Sequence, residues 1–300
     1  MYKLSIVIPC YNCEDNILGL LSVIPYHQDV EVILVDDGSK DNTKSVIENN
    51  ISSLGLLHNI HFFSKKNEGA AKTRQFGLNK SKGDYVFFCD ADDYLVPNFF
   101  DSILYAIDTD ASDIIYFNSL VATNIGNYTN YQYKVKFNNE ITYSDPNLFL
   151  TQQLKNNCWT AAVWTFVFKR SLVMLSGAYF TSRKAHEDHM FVISLLYSAK
   201  NIHIINKTLY VQKVTIGSLT NSAKDWNYIY QRYIAYIEIK DKFNSKIDEQ
   251  TMDLYTKWSL SSFFRLVFES KKTFSKCLIE LKFYKIAFDN LSFIIKMIFK

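Results

Sequence analysis

Tyr85-Val86-Phe87-Phe88-Cys89-Asp90-Ala91-Asp92-Asp93 is the stretch that decides the reading of this chain. Its first five residues are all apolar, the pattern of a strand buried on both faces. Three carboxylates then fall within four residues. Acids so close repel one another unless a cation neutralises them. Mg²⁺ and Mn²⁺ suit carboxylate oxygen; they commonly take one or two such ligands and complete their shell with substrate phosphate and water. The plain alternative is a solvated acidic turn ahead of a helix that starts at Pro97.

Strand and helix signals alternate on both sides of this stretch. Leu4–Pro9 reads as a buried strand and the residues after Glu14 as a helix. Glu31–Asp36 is a second strand, and Asp41–Ser53 a helix with Asp41 as its N-cap. Ile60–Ser64 is a third strand, Gly69–Ser81 a helix stopped near Gly83, and Pro97–Ile107 a further helix. This alternation predicts an α/β fold with a mostly parallel sheet covered on both faces. Ligands of such sheets bind beyond the carboxyl ends of the strands. Tyr11, Asp36-Asp37 and Asp90–Asp93 all fall at such ends. Asp37, followed by Gly38-Ser39, suits a ribose hydroxyl or a base N–H, or else an Asx turn that caps the next helix. Asn67–Arg74 enters a helix through small residues, which brings Lys72 and Arg74 within reach of an anion; a plain amphipathic helix start is the alternative.

The second half is mixed. Asp113–Ser119 and Tyr131–Phe137 read as strands, and Leu148–Leu154 and Glu187–Ala199 as helices. Ile202–Ile205 and Thr208–Lys213 read as a closing pair of short strands. From about Lys224 the chain turns helical and aromatic, which puts a boundary near residue 220.

The chain resembles glycosyltransferase family 2, the inverting enzymes of the GT-A fold, of bacterial surface-polysaccharide type. The resemblance rests on Ser5-Ile6-Val7-Ile8-Pro9-Cys10-Tyr11-Asn12, on Val35-Asp36-Asp37-Gly38-Ser39, on Asn67-Glu68-Gly69 with Arg74-Gln75-Phe76-Gly77-Leu78, and on Gly83–Asp93. It covers residues 1–100 strongly and extends more weakly to about 220 through Trp164–Arg170, Glu187-Asp188, Leu209-Tyr210 and Gly217-Ser218. It implies a GT-A catalytic domain over residues 1–220, with a nucleotide-binding half (1–110) and an acceptor half (111–220), followed by a helical C-terminal extension (221–300). It implies a nucleotide-sugar site made by Pro9, Tyr11, Asp37, Arg74, Asp90 and Asp92. Tyr11 would stack on the base, Asp37 accept from it, and Asp90 contact the ribose. Asp92 would hold Mn²⁺ or Mg²⁺, and Asp188 would be the general base. Glu187, Trp164 and Ser218 would contact the acceptor or the diphosphate. Lys72-Thr73-Arg74-Gln75 departs from the family pattern, which often has Ala before the Arg and Asn after it. The implied reaction moves a sugar from a nucleoside-diphosphate sugar, with a UDP-sugar as the implied donor, to a hydroxyl of a glycan or lipid-linked glycan. A non-catalytic sugar-nucleotide or glycan-binding module is the alternative on the same fold.

Bulk composition agrees with this class. Hydrophobic residues make up 48% of 300, ample for a large core, and a net charge of +3 argues against a nucleic-acid partner. Five cysteines, an odd number, argue against a disulfide framework and for a reducing, cytoplasmic setting. Cys10-Tyr11-Asn12-Cys13 has no second pair to complete a zinc site, and His186-Glu187-Asp188-His189 is not His-Glu-x-x-His. Trp159 and Trp164 flank small residues and offer rings for a sugar, or core packing. Between Arg265 and Lys300, eight basic side chains face three acidic ones. Leu278, Leu281, Tyr284, Phe288 and Leu291 follow helical spacing there. Such a segment suits peripheral contact with the inner face of a membrane, or packing on the catalytic domain or a partner subunit. Oligomerisation stays open.

Overall fold

The computed structural model describes residues 2–25, 27–51, 59–125, 128–214, 224–269, 281–291 and 293. Four parallel strands make one half of the sheet: β1 (Leu4–Cys10), β2 (Val30–Asp36), β3 (Ile60–Ser64) and β4 (Tyr85–Phe88), in the order β3-β2-β1-β4. Side chains alternate across a strand. Val7, Ile33, Val35, Val86 and Phe88 therefore enter one core, and Leu4, Ile6, Ile8, Val32, Leu34 and Phe87 the other. Helices α1 (Ile17–Ser22), α2 (Thr43–Ile51) and α4 (Phe99–Thr109) cover the second face through Ile17, Leu20, Ile47, Phe99 and Ile103. Helix α3 (Ala70–Lys80) covers the first. It sits so close that a Cβ on Gly77 would lie 2.3 Å from Val7 Cγ1.

Buried polar groups lock the lower end of this half. Glu31, wholly buried, accepts from Ser5 Oγ, from Lys82 N and from Gly83 N (3.0 Å). A Cβ on Gly83 would lie 2.6 Å from Ser5 Oγ, so the chain passes there only as glycine.

Beyond β4 the sheet is mixed. It contains β5 (Tyr94–Leu95), β6 (Ile114–Ile125), β7 (Tyr128–Val135), β8 (Ile141–Tyr143), β9 (Phe166–Lys169) and β10 (Ile202–Lys213). The order continues β4-β9-β6-β10-β5, with β7 on β6 and β8 on β10. β9 runs antiparallel to both β4 and β6, while β6 and β10 are parallel. The two short strands expected at 202–213 are one strand, broken in register between Ile205 and Tyr210. Asn206 lies in this irregular stretch, where its side-chain oxygen accepts from Asn118 Nδ2 (3.0 Å) and its side-chain nitrogen donates to Asn138 O (2.8 Å).

The remaining helices are α5 (Pro146–Lys155), α6 (Ser171–Ser176), α7 (Asp188–Leu196), α8 (Trp226–Phe243), α9 (Glu249–Glu269) and α10 (Leu281–Asp289). Asp145 and Asp225 cap α5 and α8 by accepting from Asn147 N and Tyr228 N. Ile229, Tyr236 and Ile239 of α8 and Tyr255, Phe263 and Val267 of α9 are buried in the same core as the sheet. In α10, Phe283 and Ile286 pack inward, whereas Tyr284, Phe288 and Leu291 of the expected apolar stripe stay exposed. Leu278 and the other tail positions at 270–280, like Gly217-Ser218, lie outside the described residues. No described helix is long and apolar enough to cross a membrane.

Candidate functional site

The acid turn follows β4. Arg74, from the second turn of α3, ties it to α7: Nη2 lies 2.8 Å from Asp90 Oδ1 and Nη1 3.3 Å from Glu187 Oε1. Burial opposes charge on Arg74, but Asp90, Glu187 and Asp188 together hold its guanidinium firmly protonated. Asp93 is buried, accepting from the Tyr210 hydroxyl and from Lys213 N (2.7 Å). Burial, with repulsion from Asp90 and Asp92, pushes its carboxyl up to about 8. The Asp90 N–H in turn donates to the Tyr210 hydroxyl (3.3 Å), so β10 props the turn from below. Trp164, expected at the acceptor, is instead buried under this prop; its ring stacks on Tyr210 at 4.8 Å. Its indole fills core space between sheet and turn, which is where a large apolar ring gains most.

Asp188 opens α7 and faces the cavity, half-buried. Burial and the neighbouring Glu187 push its carboxyl up to about 7, against the pull of Arg74. The loop before it is held in shape from two sides. His186 adopts a left-handed φ of 57°. Arg183 donates to His186 O (3.2 Å) and pairs with Glu238 of α8, and Ala185 N donates to Gln231 of α8 (3.0 Å). His186 is pushed down to about 3 by burial and by Arg232, Arg183 and Lys224. His189 rests against Arg232, and burial keeps it neutral. Among the described residues no group of three or more His, Cys, Asp or Glu is arranged to hold a metal ion.

These groups border a cavity of about 760 Å³. Arg74, Asp90, Asp92, Asp93, Glu187 and Asp188 are part of its lining. A basic and aromatic part of the wall is built by Trp159, by Lys134 of β7, and by Arg232, Trp258 and Arg265 of α8 and α9. Arg232 is 5% exposed and lies over the Trp258 ring, 4.1 Å from its centroid. Sequence reasoning missed this wall. Arg232 is one basic residue in an aromatic helix, and nothing in its local sequence marks it as buried.

Pro9, Tyr11 and Asp37 do not line the cavity. They cluster beside it, at the ends of β1 and β2, one strand away from the end of β4. The Tyr11 ring is 46% exposed, open to a stacking partner. Its neighbour Asn12, with φ 48°, exchanges bonds with Ser39 and Lys40 and so fixes the turn. Asp37 is engaged within the protein: Lys65 Nζ lies 2.5 Å from Oδ1, Glu68 N donates to Oδ1 (2.9 Å) and Gly69 N to Oδ2 (2.8 Å). Burial works against its charge, yet Lys65 and the two amides hold its carboxyl below the usual range. Gly38 permits this knot: its φ is 68°, and a Cβ there would meet Asn67 N at 2.9 Å.

The donor set of the acid turn fits a hard divalent cation that draws most of its shell from elsewhere. Asp90 and Asp92 offer only oxygen, and their mutual charge is strong enough to raise Asp93. Among the described residues no third ligating side chain is arranged beside them, so phosphate and water would supply the remaining positions, as is common for Mg²⁺.

The family model described as glycosyl transferase family 2 matches residues 5–174, more than half of the chain. The chain belongs to this family. Among its relatives, the glycosyltransferase YibD of Escherichia coli is 24% identical over 262 residues, covering 83% of this chain and 73% of that one. The poly(ribitol-phosphate) beta-N-acetylglucosaminyltransferase TarP of Staphylococcus aureus is 27% identical over 227 residues, covering 74% of this chain and 65% of its own. The chain spans from 31% to 87% of the length of other curated relatives. The crystal structure of S. aureus TarS 1-349 in complex with UDP-GlcNAc superposes with a TM-score of 0.67 at 22% identity, over 93% of this chain and 77% of that one. This likeness shows the fold: the GT-A arrangement of sheet, flanking helices and C-terminal helices.

Proposed function

We propose that this family 2 glycosyltransferase is an inverting enzyme that moves a sugar from a UDP-sugar to a hydroxyl of a surface glycan or lipid-linked glycan. The observation that carries the reading is Asp188, a carboxyl pushed up to about 7 that faces the same cavity as the acid turn. A general base works best with a pKa near the operating pH. The UDP-GlcNAc complex of TarS and the activity named for TarP support a nucleotide-sugar donor.

On this reading Tyr11 stacks on the base, and Asp37, held by Lys65, orients the edge facing it. Asp90, fixed by Arg74, contacts the ribose. Asp92 would hold Mn²⁺ or Mg²⁺, which would supply positive charge to the leaving diphosphate. The acceptor hydroxyl gives its proton to Asp188 while its oxygen forms a bond to the anomeric carbon. The bond from that carbon to the diphosphate oxygen breaks in the same step, and its electron pair leaves with UDP. A single in-line displacement inverts the anomeric centre. Arg74 keeps Glu187 and Asp90 paired, so Asp188 is the acid left for the proton.

The test is release of nucleoside diphosphate from UDP-, GDP- and CDP-sugars with Mn²⁺ or with EDTA, repeated on Asp92→Asn and Asp188→Asn. Turnover of a UDP-sugar that needs metal and Asp92 is expected. Asp188→Asn should bind donor and fail to turn it over. Donor binding with no turnover, even with candidate acceptors, would replace this reading with a binding module.

A further inference from the structure

Among the described residues the cations of the basic cavity wall form no ion pair, although the charge of Asp188 acts on Arg232. Elsewhere in the protein, inward cations sit on carboxylates: Lys65 on Asp37, Arg74 on Asp90, Lys169 on Asp113 and Arg183 on Glu238. Lys134, Arg232 and Arg265 differ. Among the described residues none of the three forms an ion pair, although all line the cavity. Arg232 is 5% exposed, its Nε is buried without a hydrogen-bond partner, and one Nη meets only the neutral His189 ring. A buried guanidinium left so is unfavourable unless an anion completes it. Arg265 lies close enough to disfavour charge on both neighbours: it adds to burial in lowering Lys134 and Arg232. The three come from β7, α8 and α9, away from the strand ends that carry Pro9, Tyr11 and Asp37. They therefore come from other elements than the acid turn, and Arg232 meets the cavity beside the start of α7, where it touches His189.

We propose that Lys134, Arg232 and Arg265 form a phosphate subsite for the acceptor, so that the sugar is delivered to a hydroxyl compound that itself carries a phosphate. The inference rests on the proposed transfer only in naming the ligand as the acceptor. The subsite itself stands on the wall's geometry. An acceptor phosphate held there places a nearby hydroxyl between Arg232 and Asp188, whose charges interact across this part of the cavity. Arg suits bidentate phosphate recognition, and a Lys adds a point charge.

The experiment is calorimetric titration of sn-glycerol 3-phosphate, with glycerol as the uncharged control, into protein saturated with UDP and Mn²⁺. Lys134→Met and Arg265→Met alter exposed rim side chains that leave the core intact; Arg232→Lys tests the buried position while keeping its charge. Saturable binding of the phosphate but not of glycerol is expected. Each Met variant should weaken it about tenfold, with UDP affinity changed less than twofold. A glycerol phosphodiester trimer and a short polyprenyl pyrophosphate in detergent form the second arm; the tighter of the two, lost in the same variants, identifies a polymer or a lipid carrier as the source. Equal phosphate binding by wild type and variants overturns the proposal, as does absence of saturable binding. A parallel fall in UDP affinity also overturns it, because the cations would then serve the donor diphosphate. The phosphate arm is read whether or not UDP binds, so failure of the donor assignment is seen separately.

Discussion

Asp188 titrates where the enzyme would work, and this makes its role measurable. With its carboxyl pushed up to about 7, about one tenth of it is ionised at pH 6, half at pH 7 and nine tenths at pH 8. If only the carboxylate accepts the proton, kcat rises about fivefold from pH 6 to pH 7 and less than twofold from pH 7 to pH 8. A carboxyl at its ordinary value would be ionised throughout and give a flat profile. The neighbours set the direction of two further shifts. Glu187 pushes Asp188 up, so Glu187→Gln should move the rising limb to lower pH. Arg74 pulls it down, so Arg74→Met should move the limb to higher pH. Asp188→Asn should lower kcat by about 10²- to 10⁴-fold and abolish the limb. The assay is UDP release at saturating donor and acceptor in constant-ionic-strength buffers. A flat wild-type profile from pH 6 to pH 8, or a limb that stays in place in both neighbour variants, would refute the assignment.

Three other outcomes are expected. Asp93 has a folded pKa of about 8, above its unfolded value, so the fold binds its proton more tightly. That contribution to stability is present below about pH 4 and lost as pH rises to about 8. Asp93→Asn should therefore raise Tm more at pH 8.5 than at pH 5 in EDTA, and equal shifts at both would contradict the burial argument. Gly77→Ala sets a methyl 2.3 Å from Val7 Cγ1 and should destabilise by about 1–3 kcal/mol in urea unfolding, despite the better helix propensity of Ala. Glu31→Ala strips an acceptor from Ser5 Oγ, Lys82 N and Gly83 N and should cost about 3 kcal/mol in the same assay; a change below 0.5 kcal/mol would show those donors find water.

The parallel half of the fold was legible because its signals are local. Runs such as Val30–Asp36 and Tyr85–Phe88 are buried on both faces, and continuous apolarity records that directly. The glycines and acids at the strand ends mark turns that must lie at one edge of the sheet, so Tyr11, Asp37 and the 90–93 turn could be placed near one another from order alone. The 202–213 break was readable as a break, yet that it shifts the register of one strand rather than separating two is seen only in its pairing with β6, which is remote in sequence.

Other features exist only in three dimensions. Asp93 reads as the third member of an acidic turn, but Tyr210 and burial make it a proton-holding support for the other two. Trp164 and Trp159 look alike in sequence; one stacks on Tyr210 in the core and the other lines the cavity. Arg265 opens the tail whose composition suggested a membrane surface, and Arg232 lies in the helix before it; the packing of α8 and α9 on the sheet puts both on the cavity lining. The physical reason is the same in each case. Periodicity and turn chemistry report whether a side chain points inward, because that is settled by its own helix or strand. What it meets there is settled by a second segment remote in sequence, and no local pattern carries that information.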